Sequence, residues 1–347
     1  MAGLFDFFEE AAASQVLPFA VYCKPGSNII TGIFQRLPHR HSINFNKKGF
    51  VFAPFTGNQA IFIPDYASVV VTAPLEAAPY PVSAVAQPDV DTSAKEAFER
   101  LVSKSIELIM QGTFEKLVCS RTERIPLEKC DVVAVYKKML RAYPNAFRYC
   151  FFDPLAGLWM GATPEQLLKA DGGNISTVAL AGTQLYDENN EVLWPEKEKQ
   201  EQQFVTDYIT GQLHGLVSDI SVSNPYTFRA GNIVHIKTDI WGTASPGSLR
   251  QILQRLHPTP AVCGLPKQEA MQFLLHNEGY NREYYSGFLG EVNPDGQTDL
   301  FVNLRCMKID DNSVQLFMGC GVTKDSDPEK EFMETVNKSM TMRKILV

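Results

Sequence analysis

No stretch of this chain approaches the roughly 20 consecutive apolar residues that a membrane-spanning helix needs, so no membrane span is expected. CxxC pairs are also missing. The seven cysteines (Cys23, Cys119, Cys130, Cys150, Cys263, Cys306 and Cys320) are odd in number and scattered, which suggests reduced, mostly buried thiols rather than a disulfide framework or a zinc site. There is no surplus of positive charge. A net charge of −7 disfavours a broad nucleic-acid footprint, so no nucleic-acid partner is expected, and an anionic substrate would need a local basic pocket. Neither GxGxxG nor GxxxxGK[ST] occurs, which leaves a doubly wound nucleotide-binding fold without its fingerprint. Asp6, Glu9 and Glu10 stand where a secretory signal would be basic and then apolar, so a cytoplasmic location is expected.

What is present is the composition of a globular protein: 347 residues, 45% hydrophobic and 20% charged. Residues 15–72 alternate short apolar runs such as Phe19-Ala20-Val21-Tyr22 and Ala60-Ile61-Phe62-Ile63 with Gly, Pro and Asn turns, the pattern of consecutive antiparallel strands. Residues 73–91, rich in Ala, Pro and Val, read as a connection to a helix over Ser93–Gln111. Beyond it, strand-like segments alternate with helices expected over Val132–Arg141, Pro164–Leu168, Glu196–Val217, Ser248–Leu256, Pro266–Glu278 and Glu329–Lys344. Hairpins outnumber helical crossovers, which predicts an α+β fold with large antiparallel sheets. Residues 1–90 form its β-rich first part and residues 91–347 the part that carries the chemistry, within one compact domain.

Two acidic stretches stand out. Glu196-Lys197-Glu198-Lys199-Gln200-Glu201 and Glu329-Lys330-Glu331-Phe332-Met333-Glu334 each hold two carboxylates three residues apart, on one helical face, a way to hold a hard cation such as Mg²⁺. Solvated helix faces laced with Glu/Lys pairs are the plain alternative. Lys338 lies four residues beyond Glu334, and Gly319-Cys320-Gly321 reads as a glycine-rich turn whose amides can meet a small anion. Lys116 opens an apolar strand; facing inward at the edge of a pocket, its amine would be pushed toward neutrality and become a general base. A strand-end lysine is otherwise simply exposed. Glu165, in Gly161-Ala162-Thr163-Pro164-Glu165, is either a first-turn helix glutamate or, in an apolar cavity, an acid able to protonate a leaving oxygen. Arg305 inside Phe301-Val302-Asn303-Leu304-Arg305 needs an anionic partner, whether an internal acid or a ligand. Tyr285 and His235 add hydrogen-bonding groups, while Gly182-Thr183 and the loop from His257 to Gly264 are rigid enough to shape a pocket.

Taken in order, Lys116-Leu117-Val118-Cys119-Ser120-Arg121, Gly161-Ala162-Thr163-Pro164-Glu165, Ala181-Gly182-Thr183, His257-Pro258-Thr259-Pro260-Ala261-Val262, Tyr285-Ser286-Gly287 and Gly319-Cys320-Gly321 with Glu331 and Glu334 resemble the chorismate-utilising enzymes over residues 95–347. The resemblance implies a four-layer α/β/β/α sandwich with two large antiparallel sheets packed orthogonally, and a bound Mg²⁺. It further implies that Lys116 activates a water and Glu165 protonates the departing 4-hydroxyl of chorismate, giving isochorismate. By the same resemblance Glu201 and Glu334 hold Mg²⁺ directly, with Glu198 and Glu331 nearby or acting through water. Arg305, Tyr285, Lys338 and the amides of Gly319, Cys320 and Gly321 would hold carboxylates, with Gly182, Thr183 and His235 lining the remaining face.

Within that family, members that use ammonia carry a Gly-Thr pair in the proline-containing loop, an Asp-Leu-Gly-Arg-Asn-like stretch and a glutamine-amidotransferase partner. Here Ala261 occupies the threonine position and Phe204-Val205-Thr206-Asp207-Tyr208 replaces the other stretch. That resembles the isochorismate synthases of menaquinone and siderophore biosynthesis, and no amidotransferase subunit is expected. A salicylate synthase, which Tyr285 leaves room for, an anthranilate or aminodeoxychorismate synthase component, and a non-catalytic chorismate-binding relative remain the alternatives. The chain departs from the family pattern at Cys119, at Gln202, which replaces the usual histidine after the metal glutamate, and at Cys263; none is a proposed catalytic group.

Overall fold

A computed structural model describes residues 3–76, 87–188, 191–230 and 233–346. The chain begins with α1 (Leu4–Ser14), β1 (Phe19–Cys23), β2 (Ile29–Gln35), β3 (Gly49–Ala53), β4 (Ile61–Pro64) and β5 (Ser68–Pro74). It continues through α2 (Thr92–Met110), β6 (Lys116–Pro126), α3 (Val132–Ala142), β7 (Phe147–Asp153), β8 (Gly157–Thr163), β9 (Gln166–Asp171), β10 (Asn174–Leu185) and α4 (Glu196–Leu213). Then come β11 (Val217–Val222), β12 (Tyr226–Ala230), β13 (Ile233–Ala244), α5 (Leu249–Leu256), β14 (Gly264–Leu265) and α6 (Lys267–Asn277). The last elements are β15 (Phe288–Val292), β16 (Gln297–Val302), β17 (Cys306–Asp310), β18 (Ser313–Val322) and α7 (Pro328–Leu346).

Two antiparallel sheets organise these elements. The first runs β14-β6-β18-β17-β8-β7-β1-β2-β5; the second runs β11-β13-β10-β9-β16-β15-β3-β4, with β12 also paired to β13. Strands from the first 76 residues therefore enter both sheets. Between the sheets lies an aromatic core in which Tyr22, Phe147, Phe151, Trp159 and Phe317 of the first meet Phe50, Phe52, Leu289 and Phe301 of the second. The outer face of the first sheet is covered by α1, α3 and the end of α7, and the outer face of the second by α4 and α5. A strand buried on both faces can be apolar at every position, which is why all five residues of Phe19–Cys23 are buried rather than alternating. Helix starts follow local chemistry: the Asp91 carboxylate accepts from the amides of Ser93 and Ala94, and that of Asp131 from Ala134.

Several expectations change. The helix expected over Pro164–Leu168 is instead the entrance to β9: Thr163 Oγ1 donates to Val302 O (2.6 Å) and Val302 N to Glu165 O (2.9 Å), so pairing with β16 overrides the Pro-Glu helix-start pattern. Gly319-Cys320-Gly321 is no turn; all three residues lie inside β18, opposite Ser120, Cys119 and Val118 of β6. Gly182-Thr183 is no loop either, for it belongs to β10, where a bulge between Ala181 and Thr183 accompanies a φ of +70° at Gly182. Helix α4 ends at Leu213 and Val217 starts β11. Of the connecting segment 73–91, residues 77–86 lie outside the described residues.

Candidate active site

A cavity opens where the ends of β6, β10, β13 and β18 meet helices α4 and α7. Its walls include Val118, Glu165, Gly182, Glu201, His235, Ala261, Tyr285, Arg305, Gly319, Cys320, Gly321, Glu334 and Lys338. Through Glu334 and Lys338 it adjoins a vestibule of about 610 Å³ that also carries Lys197, Glu198 and Glu331. Glycines make the close approaches possible. A Cβ at Gly319 would stand 2.9 Å from the Tyr285 hydroxyl, one at Gly182 3.2 Å from Glu198 Oε2, and one at Gly321 would collide with the Glu201 carboxylate.

Lys116 is wholly buried, and its Nζ lies 2.8 Å from Glu201 Oε1. The contact is an ion pair approached off the line of a good hydrogen bond, so the ammonium has no well-aligned acceptor among the described residues. Burial alone would lift the Glu201 carboxyl, but Lys116 beside it, with Lys197 and Lys338, holds it below the ordinary glutamate value. Lys116 thus sits behind Glu201 rather than at the cavity edge, because Glu201 projects from α4 between it and the open space. Glu165 is 4% exposed and lines the cavity; burial pushes its carboxyl up to about 7 against the pull of Lys116 and Lys338. It is therefore a carboxylic acid that can hold a proton near neutral pH.

Arg305 has no ion pair among the described residues. Its guanidinium is buried and donates to Thr341 Oγ1 (3.0 Å), and its backbone sits at a φ of +49°. A buried guanidinium that forms no ion pair among the described residues, in the same cavity as Lys338, has the chemistry to receive an anion supplied from outside. Lys338 donates to Gly319 O (2.9 Å) and Glu334 Oε1 (2.6 Å). His235, next to Gly182 O at 3.0 Å, is pushed down to about 3 by burial and by Arg305 and Lys338, which keeps its ring neutral.

The four glutamates of α4 and α7 face one another, each beside a lysine. Lys197 Nζ is 2.6 Å from Glu331 Oε1 and 3.6 Å from Glu198 Oε1, so one ammonium touches carboxylates from both helices. Burial and the neighbouring Glu334 raise the Glu331 carboxyl, against Lys197. Among the described residues no three acidic, histidine or cysteine side chains converge as a finished metal cage. The donor set still fits a hard cation: four carboxylates gathered on two helices, with an ammonium already between two of them.

The family model described as "Chorismate binding enzyme" matches residues 70–347. The chain belongs to the chorismate-binding enzymes. Among relatives, the "Salicylate biosynthesis isochorismate synthase" of Pseudomonas aeruginosa is 30% identical over 274 residues, which are 76% of this chain and 57% of that protein. "Isochorismate synthase EntC" of Escherichia coli is 33% identical over 257 residues, 71% of this chain and 66% of that protein. The chain thus spans less than two thirds of the length of either relative. The solved structure of MenF, the menaquinone-specific isochorismate synthase from Escherichia coli, superposes with a TM-score of 0.81 at 21% identity, covering 96% of this chain and 89% of that one. That likeness shows the α+β fold of two large antiparallel sheets with outer helices.

Of the residues singled out in the sequence of this chorismate-binding enzyme, Glu165, Gly182, Glu201, His235, Ala261, Tyr285, Arg305, Gly319, Cys320, Gly321, Glu334 and Lys338 line one cavity. Glu198 and Glu331 line the vestibule, Lys116 is set back behind Glu201, and the side chain of Thr183 lies outside the described residues. Sequence reading overlooked Glu278 and Arg282, whose i,i+4 spacing across the end of an expected helix was the available signal. Arg282 and Glu278 form an ion pair whose side chains are 1% and 2% exposed, bonded to the backbone of Val118 and Val262 in the cavity wall.

Proposed function

We propose that this protein is an isochorismate synthase, an isomerase that adds water at C2 of chorismate and expels the 4-hydroxyl. The observation that carries the reading is a buried carboxyl held near neutrality in the same cavity as a buried guanidinium that forms no ion pair among the described residues. Chorismate brings two carboxylates, for which Arg305, Lys338 and the Tyr285 hydroxyl are the receptors. Lys116, once Glu201 turns away from it and its ammonium has released a proton to solvent, accepts a proton from the attacking water. The new C2–O bond forms, both ring double bonds shift (C1=C2 to C1=C6 and C5=C6 to C4=C5), and the C4–O bond breaks as Glu165 delivers its proton, so one water enters and one leaves. Lys116 ends as an ammonium and Glu165 as a carboxylate, and a proton passed back between them or through solvent resets the pair.

A bound Mg²⁺ would neutralise the ring carboxylate and so draw charge from the developing allylic centre, with Glu201 and Glu334 as its direct ligands and Glu198 and Glu331 beside it. Ala261, where a larger residue would narrow the cavity, supports product release as isochorismate by a chain acting without an amidotransferase subunit. The test is product analysis of the purified protein with chorismate and Mg²⁺. Isochorismate as the main product supports the reading; salicylate, or an aminated product dependent on ammonia, overturns it.

A further inference from the structure

Arg282 does not line the cavity, yet its guanidinium joins two of the cavity's walls and its backbone a third. Nε and Nη2 hold the two oxygens of Glu278 (2.7 and 2.5 Å), Nη1 donates to Val262 O (2.7 Å), and Nη2 donates to Val118 O (2.6 Å). Val118 is two residues along β6 from Lys116; Val262 adjoins Ala261, and both valines face the cavity. The backbone of Arg282 supplies the third link, since its carbonyl accepts from Tyr285 N (2.8 Å). Glu278 Oε1 in turn accepts from the amide (2.8 Å) and hydroxyl (2.7 Å) of Ser120, whose Oγ also meets the Tyr280 hydroxyl at 2.7 Å. The guanidinium lies over the Phe55 ring, 4.4 Å from its centre, so it has no freedom to swing aside.

We propose that Arg282, locked by Glu278, is a positioning residue that fixes how far the Lys116 strand stands from the Ala261 loop, and thereby where the substrate ring lies relative to the base. The inference rests on the isochorismate synthase reading. A planar fork is what the arrangement demands: four hydrogen bonds leave one guanidinium in three directions, which the single ammonium of a lysine cannot reproduce at the same separations. A pair serving stability alone would have no need to bond carbonyls on two cavity walls rather than one.

The test compares wild type, Arg282→Lys and Ser120→Ala with chorismate and Mg²⁺, recording kcat, KM, product distribution and thermal midpoint, together with ligand-free crystal structures of wild type and Arg282→Lys. For Arg282→Lys, kcat is expected to fall about 100-fold with KM changed by less than about threefold, as a displacement of about 1 Å between base and substrate produces. The Val118 to Val262 carbonyl separation should change in the crystal. If Arg282→Lys does not fold, Ser120→Ala carries the test, because it removes only the hydroxyl link of Glu278 and Tyr280. There a drop of several-fold in kcat, at unchanged KM and thermal midpoint, is expected. Loss that merely tracks the unfolded fraction, or wild-type kcat per folded molecule in both variants, overturns the inference. A wild-type protein that leaves chorismate untouched overturns the functional reading instead, and an unchanged carbonyl separation in Arg282→Lys then overturns this inference on its own.

Discussion

Replacing Glu165 by glutamine should stabilise the fold above neutral pH while ending turnover. The carboxyl is 4% exposed, and burial lifts it from an ordinary 4.5 to about 7. Because the folded state holds this proton more tightly than the unfolded chain, the group's contribution to stability is complete below about 4.5 and drains away as pH rises to about 7. At about 1.4 kcal/mol for each pH unit across that interval, the loss at pH 8.5 is about 3 kcal/mol. Glutamine has nearly the same shape and never ionises. Glu165→Gln should therefore exceed wild type in stability by up to about 3 kcal/mol at pH 8.5, with the advantage shrinking toward nothing by pH 5. Urea titrations at pH 5, 7 and 8.5 read this directly, and kcat measured alongside should be about 10²- to 10⁴-fold lower because the leaving hydroxyl has lost its acid. A difference equal at all three pH values, or a variant less stable than wild type at pH 8.5, would refute the reasoning.

Lys116→Ala should abolish turnover yet leave chorismate binding intact by calorimetry. It should also lower the thermal midpoint in metal-free buffer, since the buried Glu201 loses its partner, and Mg²⁺ should restore part of that loss. Glu334→Gln should weaken Mg²⁺ and substrate together, by about tenfold or more in each titration, since Glu334 also orients Lys338. Ala261→Thr should divert part of the turnover to pyruvate release, which a coupled lactate dehydrogenase assay detects; a product distribution identical to wild type would count against the role given to that position.

Large antiparallel sheets were legible because hairpin punctuation and apolar runs such as Phe19–Cys23 leave a strong local pattern, while their number, two, followed only from the resemblance to the chorismate-utilising enzymes. Helices α2, α3 and α7 were found within a few residues for the same reason: an apolar stripe and, for α2 and α3, aspartate caps are local signals. Pro164-Glu165 misled because a proline followed by an acid writes the start of a helix, while the deciding force, pairing of the next residues with β16, comes from more than 130 positions away. Gly319-Cys320-Gly321 misled in the opposite sense. Its glycines are small to admit Glu201 and Tyr285 against a strand, a demand visible only in three dimensions. The candidate site was legible as residue types in order, but not as a set of contacts. Nothing local says that Glu201 would cover Lys116, that Arg305 would form no ion pair among the described residues, or that Lys197 would sit between glutamates of two helices.

The most direct test of the proposed chemistry is turnover of chorismate in ¹⁸O-labelled water with Mg²⁺, with the product examined by mass spectrometry and ¹³C NMR. The account predicts one ¹⁸O atom per isochorismate, bonded to C2, with the original 4-hydroxyl oxygen released to solvent. An unlabelled isochorismate would contradict it, because the hydroxyl would then have moved within the substrate with no water for Lys116 to activate.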